Sequence, residues 1–518
     1  MHDMLNSCVR FGFARCVTAA LLVFTVSIAV GSQLSQPFWS SYGRDAQHSA
    51  LSTVGSQPLT RIRWQTSVDR KPQYSGDELF IHYGSPLITQ ADTVIVPVKV
   101  GQLDRFRVEG RRSSDGKRLW QQLSNYRLPP HDWPLSFSPA LSATGKLWIP
   151  AAGGTVLQRT QLDGHGGRAT RIAFYGLQNY RQHRRAYFNN VFINTPLTVD
   201  AAGNVFFGFQ VTGVTPTNLQ SGIARLTDSG LGFSVAAATA AGDPSITKVA
   251  HNSAPALSPD GSILYIAVSS GNGFGGAAGS LLALNSQTLA TIAAVRLKDP
   301  VSGADADVHD DATSSPTVGP DGDVYFGVLE NPFPSNNDRG WLLHFDAMLT
   351  PKGAPGAFGW DDTAAVVPSS MVPSYTGTST YLLMTKYNNY AGIGSGDGVN
   401  RLAILDPNDQ MTDPISGATI MREVLTVAGG TPDPEHVASF PSAVREWCIN
   451  TAAVDPISKA ILANNEDGKL YRWDMATNTL SETLVLTSGI GEAYTPTLIG
   501  VDGTVYAINN ATLFAVGQ

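Results

Sequence analysis

Four residues of this chain carry side chains that could move protons, and each stands a few residues before a Ser-Pro, Ala-Pro or Thr-Pro step. They are His82, His251, His309 and Tyr494. Imidazole changes its charge near neutral pH and is also a common ligand of transition metals, so the three histidines suit either proton transfer or metal binding. No His-x-x-x-His spacing occurs, and the identity of any metal stays open. Capping of a tight turn is the alternative role for each histidine.

Amide, carboxylate and indole groups occupy similar positions and could bind a polar molecule. Indole and phenol faces stack on sugar rings or on a flat cofactor, although large aromatic residues also fill the space between neighbouring sheets. We therefore treat a further set as candidate ligand-binding residues. This set comprises Trp133, Asn190, Asn194, Asn252, Asp311, Glu446, Trp447 and Glu492.

The elements that would position these residues form a repeat. Short segments of the Ser/Thr/Ala-Pro-apolar type recur eight times, and most are followed by a Gly-containing turn and an alternating strand. The clearest are 138–141, 195–198, 254–257, 315–318 and 495–498, and variants begin at Ser85, Val372 and Thr451. Repeats of several short strands at this spacing are typical of a β-propeller with one four-stranded blade per repeat.

The repeat predicts an all-β protein with a single eight-bladed propeller, and seven blades is the alternative. Because the innermost strands all run in one direction, the residues before them should meet at one mouth of the central channel. The last repeat lacks its outer strand, and the segment Leu59 to Gln65 could supply it and close the ring. We assign residues 1–31 to a signal peptide, 32–58 to a lead-in segment and 59–518 to the propeller.

The segment Phe38 to Ala50, followed by the strand Arg61 to Trp64, resembles the start of bacterial propellers in the quinoprotein alcohol dehydrogenase-like superfamily. That superfamily includes pyrroloquinoline quinone (PQQ) dehydrogenases and non-catalytic assembly lipoproteins. The resemblance implies a calcium ion held by Glu, Asn and Asp, a further Asp as base, and a Trp beneath the quinone. Residues of these types are present at Glu492, Asn194, Asp311 and Trp133, but they do not align with the dehydrogenase motifs one by one. The blade motif of those enzymes is approached only at 114–120.

The N-terminus predicts export to the periplasm or the medium. Arg10 and Arg15 precede an apolar run from Val17 to Val30, and small residues at 29–31 suit cleavage. An uncleaved membrane anchor is the alternative. Cleavage would leave Cys448 as the only cysteine, which excludes an internal disulfide and the adjacent-cysteine pair of many quinoprotein dehydrogenases. The chain also lacks a Cys-x-x-Cys-His motif, so covalent haem is not expected.

The composition of the chain limits the classes of binding partner to expect. The net charge of −7 provides no basic stripe, so nucleic acid is not an expected partner. We expect a monomer that binds a polar small molecule or carbohydrate. Three further interpretations stay open: a PQQ-dependent alcohol or sugar dehydrogenase, a polysaccharide lyase-type enzyme, and a scaffold that binds proteins through its long loops at 331–339 and 411–445.

Overall fold

The computed structural model describes residues 38–75, 78–79, 82–102, 104–131, 137–271, 276–310, 314–489 and 494–518. The predicted signal peptide and the candidate ligand residues Trp133, Asp311 and Glu492 lie outside this described part. Within it, we find no helix with the length and apolar character needed to span a membrane.

The described residues form nine antiparallel sheets, of which one is a two-stranded hairpin and the other eight are the blades of a propeller, as the repeat predicts. The alternative of seven blades is wrong. Blade 1 contains Leu87–Ile88, Thr93–Lys99, Asp104–Arg112 and Arg118–Arg127. Blade 2 contains Ala140–Leu141, Leu147–Ala151, Thr155–Arg159 and Ala169–Ala173. Blade 3 contains Thr198–Val199, Val205–Val211, Gly222–Leu226 and Gly232–Ala236, with Val191–Ile193 paired to its second strand.

Blade 4 carries two additional short strands, and blade 5 has three described strands. Blade 4 contains Ala256–Leu257, Ile263–Ser269, Gly276–Asn285 and Thr291–Arg296, with Lys248–Val249 and Asp307–His309 paired to its second and third strands. Blade 5 contains Thr317–Val318, Val324–Val328 and Trp341–Phe345. Blade 6 contains Ala365–Pro368, Tyr381–Tyr387, Arg401–Thr412 and Thr419–Ala428.

The last two blades complete the ring. Blade 7 contains Ala453–Asp455, Ala460–Asn464, Lys469–Asp474 and Thr479–Val485. Blade 8 contains Leu498–Ile499, Val505–Asn509, Thr512–Gly517 and Arg61–Ser67. The remaining elements are a small hairpin of Tyr74–Ser75 and Glu78–Leu79, the helices Leu177–Gln182, Arg184–Asn190 and Ala237–Ala241, and a 3₁₀ turn at Ser369–Met371.

The ring is closed by the N-terminal segment that the sequence analysis predicts for this role. The strand Arg61–Ser67 pairs antiparallel with Thr512–Gly517, with Arg61 opposite Gly517 and Ser67 opposite Thr512. The N-terminal strand therefore serves as the outer strand of the last blade. This pairing covers an edge that would otherwise expose unpaired backbone groups.

The Asp-Gly turns between the first and second strands have a simple local cause. Gly261 has a φ of 73°, a left-handed conformation that glycine adopts without a steric penalty. A carboxylate oxygen of Asp260 accepts hydrogen bonds from the Ser262 backbone N–H at 3.0 Å and the Ser258 hydroxyl at 2.6 Å. Gly322 and Gly503 repeat the positive φ in two other blades.

The sequence interpretation of blade 6 is wrong in register. The segment at Val372 was expected to be its innermost strand, but that strand is Ala365–Pro368, in which Ala365 faces Met384. Val372 instead follows the 3₁₀ turn. In this blade the proline ends the innermost strand instead of preceding it, so a search for Ser-Pro-like steps misses the strand. The residues from Trp360 to Thr363 therefore take the position that leads into an innermost strand.

The lead-in segment fills the axis of the ring, which the sequence did not reveal. Residues 38–52, called here the axial segment, form backbone hydrogen bonds with the innermost strands of six blades. Trp39 and His48 of this segment are completely buried. The contacts pair Trp39 with Ile88, Ser40 with Leu141, Ala46 with Leu257, Gln47 with Val318, Ser49 with Val366, and Ala50 with Val454.

Candidate functional site

Polar side chains from most blades meet near the axis, and most of them come just before the innermost strands. We call this group the axial cluster. Its contacts join residues that are far apart in sequence, so the closed ring is what assembles it. Its members are His82, His131, Asn194, Lys248, His251, Asn252, His309, Asp310, Trp360, Asp361, Asp362, Lys386 and Tyr494.

Histidines and asparagines form one side of the cluster. The Asn252 amide lies 2.6 Å from Nδ1 of His82, which joins blades 4 and 1. The Asn194 amide lies 3.1 Å from Nδ1 of His251 and joins blades 3 and 4. The ring of His131 meets the ring of His251 edge-on, with 4.7 Å between their centroids.

Burial keeps the imidazoles of His82, His251 and His309 neutral. It lowers the pKa of His82 to about 3, with His131 and Lys386 adding to the effect, and it lowers the pKa of His309 to about 4. Burial, Lys248 and His131 lower the pKa of His251 well below its usual value. At neutral pH each ring therefore offers one N–H donor and one acceptor nitrogen.

Two buried ion pairs lie within the cluster. The Lys248 ammonium donates to Asp310, and both side chains are 1% exposed. The Lys386 ammonium donates to Asp361 over 2.6 Å, with side-chain exposures of 0% and 4%. Burial works against the charge on Lys386, but Asp361 outweighs it and raises the pKa of the lysine. Each ion pair joins one positive and one negative charge, so the two pairs add no net charge to the cluster.

Half-buried aromatic rings complete the cluster. Tyr494 meets His82 edge-on at 5.2 Å between ring centroids, and its hydroxyl lies 3.5 Å from Asp361. Trp360 meets His309 in the same way at 4.9 Å. These rings place apolar faces beside hydrogen-bonding groups, an arrangement that suits a sugar or another small polar molecule.

Asp362 provides a carboxyl group that can exchange protons near neutral pH. It accepts hydrogen bonds from the Thr385 hydroxyl at 2.7 Å and the Lys386 backbone N–H at 3.0 Å. Burial nevertheless raises its pKa to about 7, against the opposing influence of Lys386. A general acid or base is most effective when its pKa lies close to the working pH.

The side chain of Tyr42 in the axial segment contacts residues beside the cluster. The Tyr42 hydroxyl donates to the Asn450 side chain and lies 2.8 Å from the Thr363 hydroxyl. Thr363 and Asn450 lead into the innermost strands of blades 6 and 7. The segment that fills the axis therefore also supports the site.

Two groups of described residues bring metal-ligand atoms within 4.8 Å of one another: His131, His251 and Asp310, and Glu446, Cys448 and Glu466. In the first group, Asp310 already accepts from Lys248 and from the His251 backbone N–H at 3.3 Å. In the second group, the Cys448 thiol donates to Glu466 at 3.1 Å. Protein partners already engage both groups, so neither requires a metal.

The structure brings together most of the predicted site residues that it describes. His82, His251, His309, Tyr494, Asn194 and Asn252 all belong to the axial cluster. Glu446 lies beside it, and burial together with Glu466 raises the pKa of its carboxyl group well above the usual value.

Two other predicted residues have different surroundings. The Asn190 amide donates to the Val214 carbonyl at 3.2 Å, within a neighbouring loop. Trp447 is completely buried and packs against Tyr471 with 5.4 Å between ring centroids. Trp447 therefore belongs to the packing between blades, which was the alternative role for the large aromatic residues.

Sequence reasoning missed several members of the cluster. His131 precedes the innermost strand of blade 2 by more residues than the other histidines precede theirs. Trp360, Asp361 and Asp362 were hidden by the wrong register of blade 6, although the apolar run that follows them would have revealed it. Lys248 and Lys386 lie on strands, where a lysine gives no signal of burial.

Comparisons with known proteins give a likeness in fold. No protein-family profile matches the chain, and no curated protein matches it. A europium-containing methanol dehydrogenase is similar in structure, with a TM-score of 0.54 and 12% identity, over 92% of this chain and 89% of that one. A quinohemoprotein alcohol dehydrogenase from Comamonas testosteroni is similar with a TM-score of 0.56 and 12% identity, over 93% and 81%. The predicted resemblance to quinoprotein propellers is thus confirmed for the fold.

The described residues do not fit a quinone with calcium. Calcium takes about six to eight oxygen ligands, whereas the described cluster offers chiefly imidazole nitrogens, and two of its three carboxylates, Asp310 and Asp361, already bind lysine.

Proposed function

We propose that this propeller binds a small polar molecule, with sugars and sugar acids as the leading class, in the axial cluster. The observation that carries the proposal is the convergence of neutral imidazoles and amides beside half-buried aromatic rings, as in the contact of Tyr494 with His82. Such a set can bind hydroxyl and carbonyl groups while the rings pack against the carbon skeleton.

The cluster also holds groups for acid–base catalysis. Burial raises the pKa of Asp362 to about 7, and the same cluster contains neutral imidazoles such as His82. This observation favours an enzyme as the second candidate function. A lyase acting on uronates would use a histidine or tyrosine base together with a cation that neutralises the acid. Both lysines of the cluster are already paired with aspartates, so simple binding remains the first candidate.

Binding can be tested with a panel of polar compounds and the purified mature protein. The panel contains neutral sugars, sugar acids and amides, and PQQ with calcium. We expect at least one sugar or sugar acid to raise the melting temperature, and PQQ with calcium to have no effect. His251→Ala should weaken binding of the active compound at least about tenfold, because a lost hydrogen bond to a buried group costs about 1–3 kcal/mol.

His165→Ala is the matched control, because His165 is exposed and bonds only to the Leu119 carbonyl among the described residues. Its binding should equal that of the wild type. A panel without any active compound would contradict the proposed function. Binding of PQQ with calcium would replace it with the dehydrogenase.

Export of a monomer is the other part of the proposal. It is supported by the leader pattern at residues 1–31. The protein recovered from the periplasm or medium of an expressing bacterium should lack these residues and elute as a monomer. Intact mass and size-exclusion measurements check both points. An uncleaved chain in the membrane fraction would contradict export.

A further inference from the structure

The amide group of Asn194 has an orientation fixed by the backbone. Its Nδ2 donates to the Val249 carbonyl at 2.8 Å and also lies 3.1 Å from Nδ1 of His251. Turning the amide over would place its oxygen against the Val249 carbonyl, so two acceptors would face each other at hydrogen-bond distance. The amide nitrogen must therefore face His251.

This contact determines which nitrogen of His251 carries the proton. Nδ1 faces a donor and must accept, so the proton of the neutral ring lies on Nε2. The backbone on either side is held as well, because the His251 N–H donates to Asp310 at 3.3 Å and the Asn252 N–H donates to the Asn194 carbonyl at 3.0 Å. The ring is thus a positioned N–H donor.

Within the described part of the chain, this donor has no hydrogen-bond partner. Among the described residues, no hydrogen bond involves Nε2 of His251, and the residue is only 2% exposed. Buried donors are almost always satisfied, and an unsatisfied donor is costly. An acceptor atom of a bound molecule or of water would satisfy this donor.

We propose that His251 holds a carbonyl or carboxylate oxygen of the bound molecule through Nε2–H, and that Asn194 is the positioning residue that fixes this tautomer. The inference rests on the proposed function and names the chemical group that the site recognises. Beside the ring, the Lys248 ammonium donates to Asp310.

The tautomer can be measured without any ligand. Histidine-selective ¹⁵N labelling of the full mature protein gives one pair of nitrogen signals for each ring, and His251→Gln identifies the pair that belongs to His251. We expect Nδ1 to be unprotonated and Nε2 to be protonated at neutral pH. A proton on Nδ1, or on both nitrogens, would overturn the inference.

Asn194→Asp tests the positioning role. A carboxylate can only accept, so it should move the imidazole proton to Nδ1 and leave Nε2 as an acceptor that repels the ligand oxygen. In this variant we expect the ¹⁵N signal of Nδ1 to be that of a protonated nitrogen and the signal of Nε2 that of an unprotonated one. The affinity for the bound compound should fall at least about tenfold. Asn194→Ala, which only releases the ring, should give mixed tautomers and a smaller loss. It also remains informative if the aspartate variant fails to fold.

The probes are D-glucuronate, D-glucuronamide and D-glucose, measured by calorimetry. Binding of glucuronate alone indicates recognition of a carboxylate, and binding of both glucuronate and glucuronamide indicates a carbonyl oxygen. Asn218→Asp, the same change in an exposed loop, should bind like the wild type. Unchanged affinity in Asn194→Asp, or binding of glucose as strong as that of the other two, would overturn the inference while leaving the proposed function in place. Failure of the whole compound panel would overturn the proposed function itself, whatever the tautomer.

Discussion

Replacement of Lys386 by methionine is expected to lower the free energy of unfolding by about 3–5 kcal/mol, because it removes one partner of a buried ion pair. The Lys386 ammonium lies 2.6 Å from Asp361, and the two side chains are 0% and 4% exposed. Methionine fills much of the lysine volume but leaves the aspartate without its cation. Chemical denaturation at neutral pH measures the change.

Two further variants test the cause. Lys386→Met combined with Asp361→Asn removes both charges and should recover most of the lost stability. Lys352→Met removes the lysine from a pair with Asp323 in which the lysine is 45% exposed, and it should cost less than about 1 kcal/mol. Equal losses of unfolding free energy in Lys386→Met and Lys352→Met would show that the ion pair of Lys386 with Asp361 is not buried in solution.

Replacement of His82 by glutamine is expected to remove part of the acid sensitivity of the fold. Burial lowers the pKa of His82 to about 3, below the usual value of 6.5. The unfolded chain therefore binds a proton below pH 6.5 that the folded chain does not bind. The contribution of neutral His82 to the free energy of unfolding is complete above pH 6.5 and is lost as the pH falls below 6.5. Between pH 7.5 and pH 5 the loss is about 2 kcal/mol.

The measurement compares unfolding free energies of the wild type and His82→Gln at these two pH values. The variant should be less stable at pH 7.5, because it lacks the contact with Asn252, but its stability should fall less on acidification. Asp362 acts in the opposite direction, since its raised pKa stabilises the folded state as the pH falls. That contribution is present in both proteins and cancels in the comparison. Equal acid sensitivity of the two proteins would contradict a neutral, buried His82.

The repeating part of the fold was predictable because each blade repeats the same local physics. Turns such as Asp260-Gly261 need a residue that tolerates positive φ, and the apolar strands after them are visible in the sequence. The position before each innermost strand was likewise a good guide to the site and identified His82 and His251. Where one blade departed from the pattern, at Ala365–Pro368, the register slipped and Asp361 was missed.

Contacts between distant residues could not be predicted from these patterns. The axial segment bonds to six blades through backbone groups, which depend little on residue type. The pairing of Lys386 with Asp361 and the contact of Asn252 with His82 also require the closed ring. Such contacts follow from topology, and a lysine or asparagine in the sequence does not indicate that it will be buried.

The most direct test of the axial cluster as a binding site is a crystal structure of the mature protein with the panel compound that raises its melting temperature most. We predict electron density for the compound in the axial cluster, with an oxygen within hydrogen-bond distance of His251 Nε2 and a carbon face against Tyr494 or Trp360. Density for the compound only on the outer blades or loops, with the axial cluster unchanged, would contradict the account.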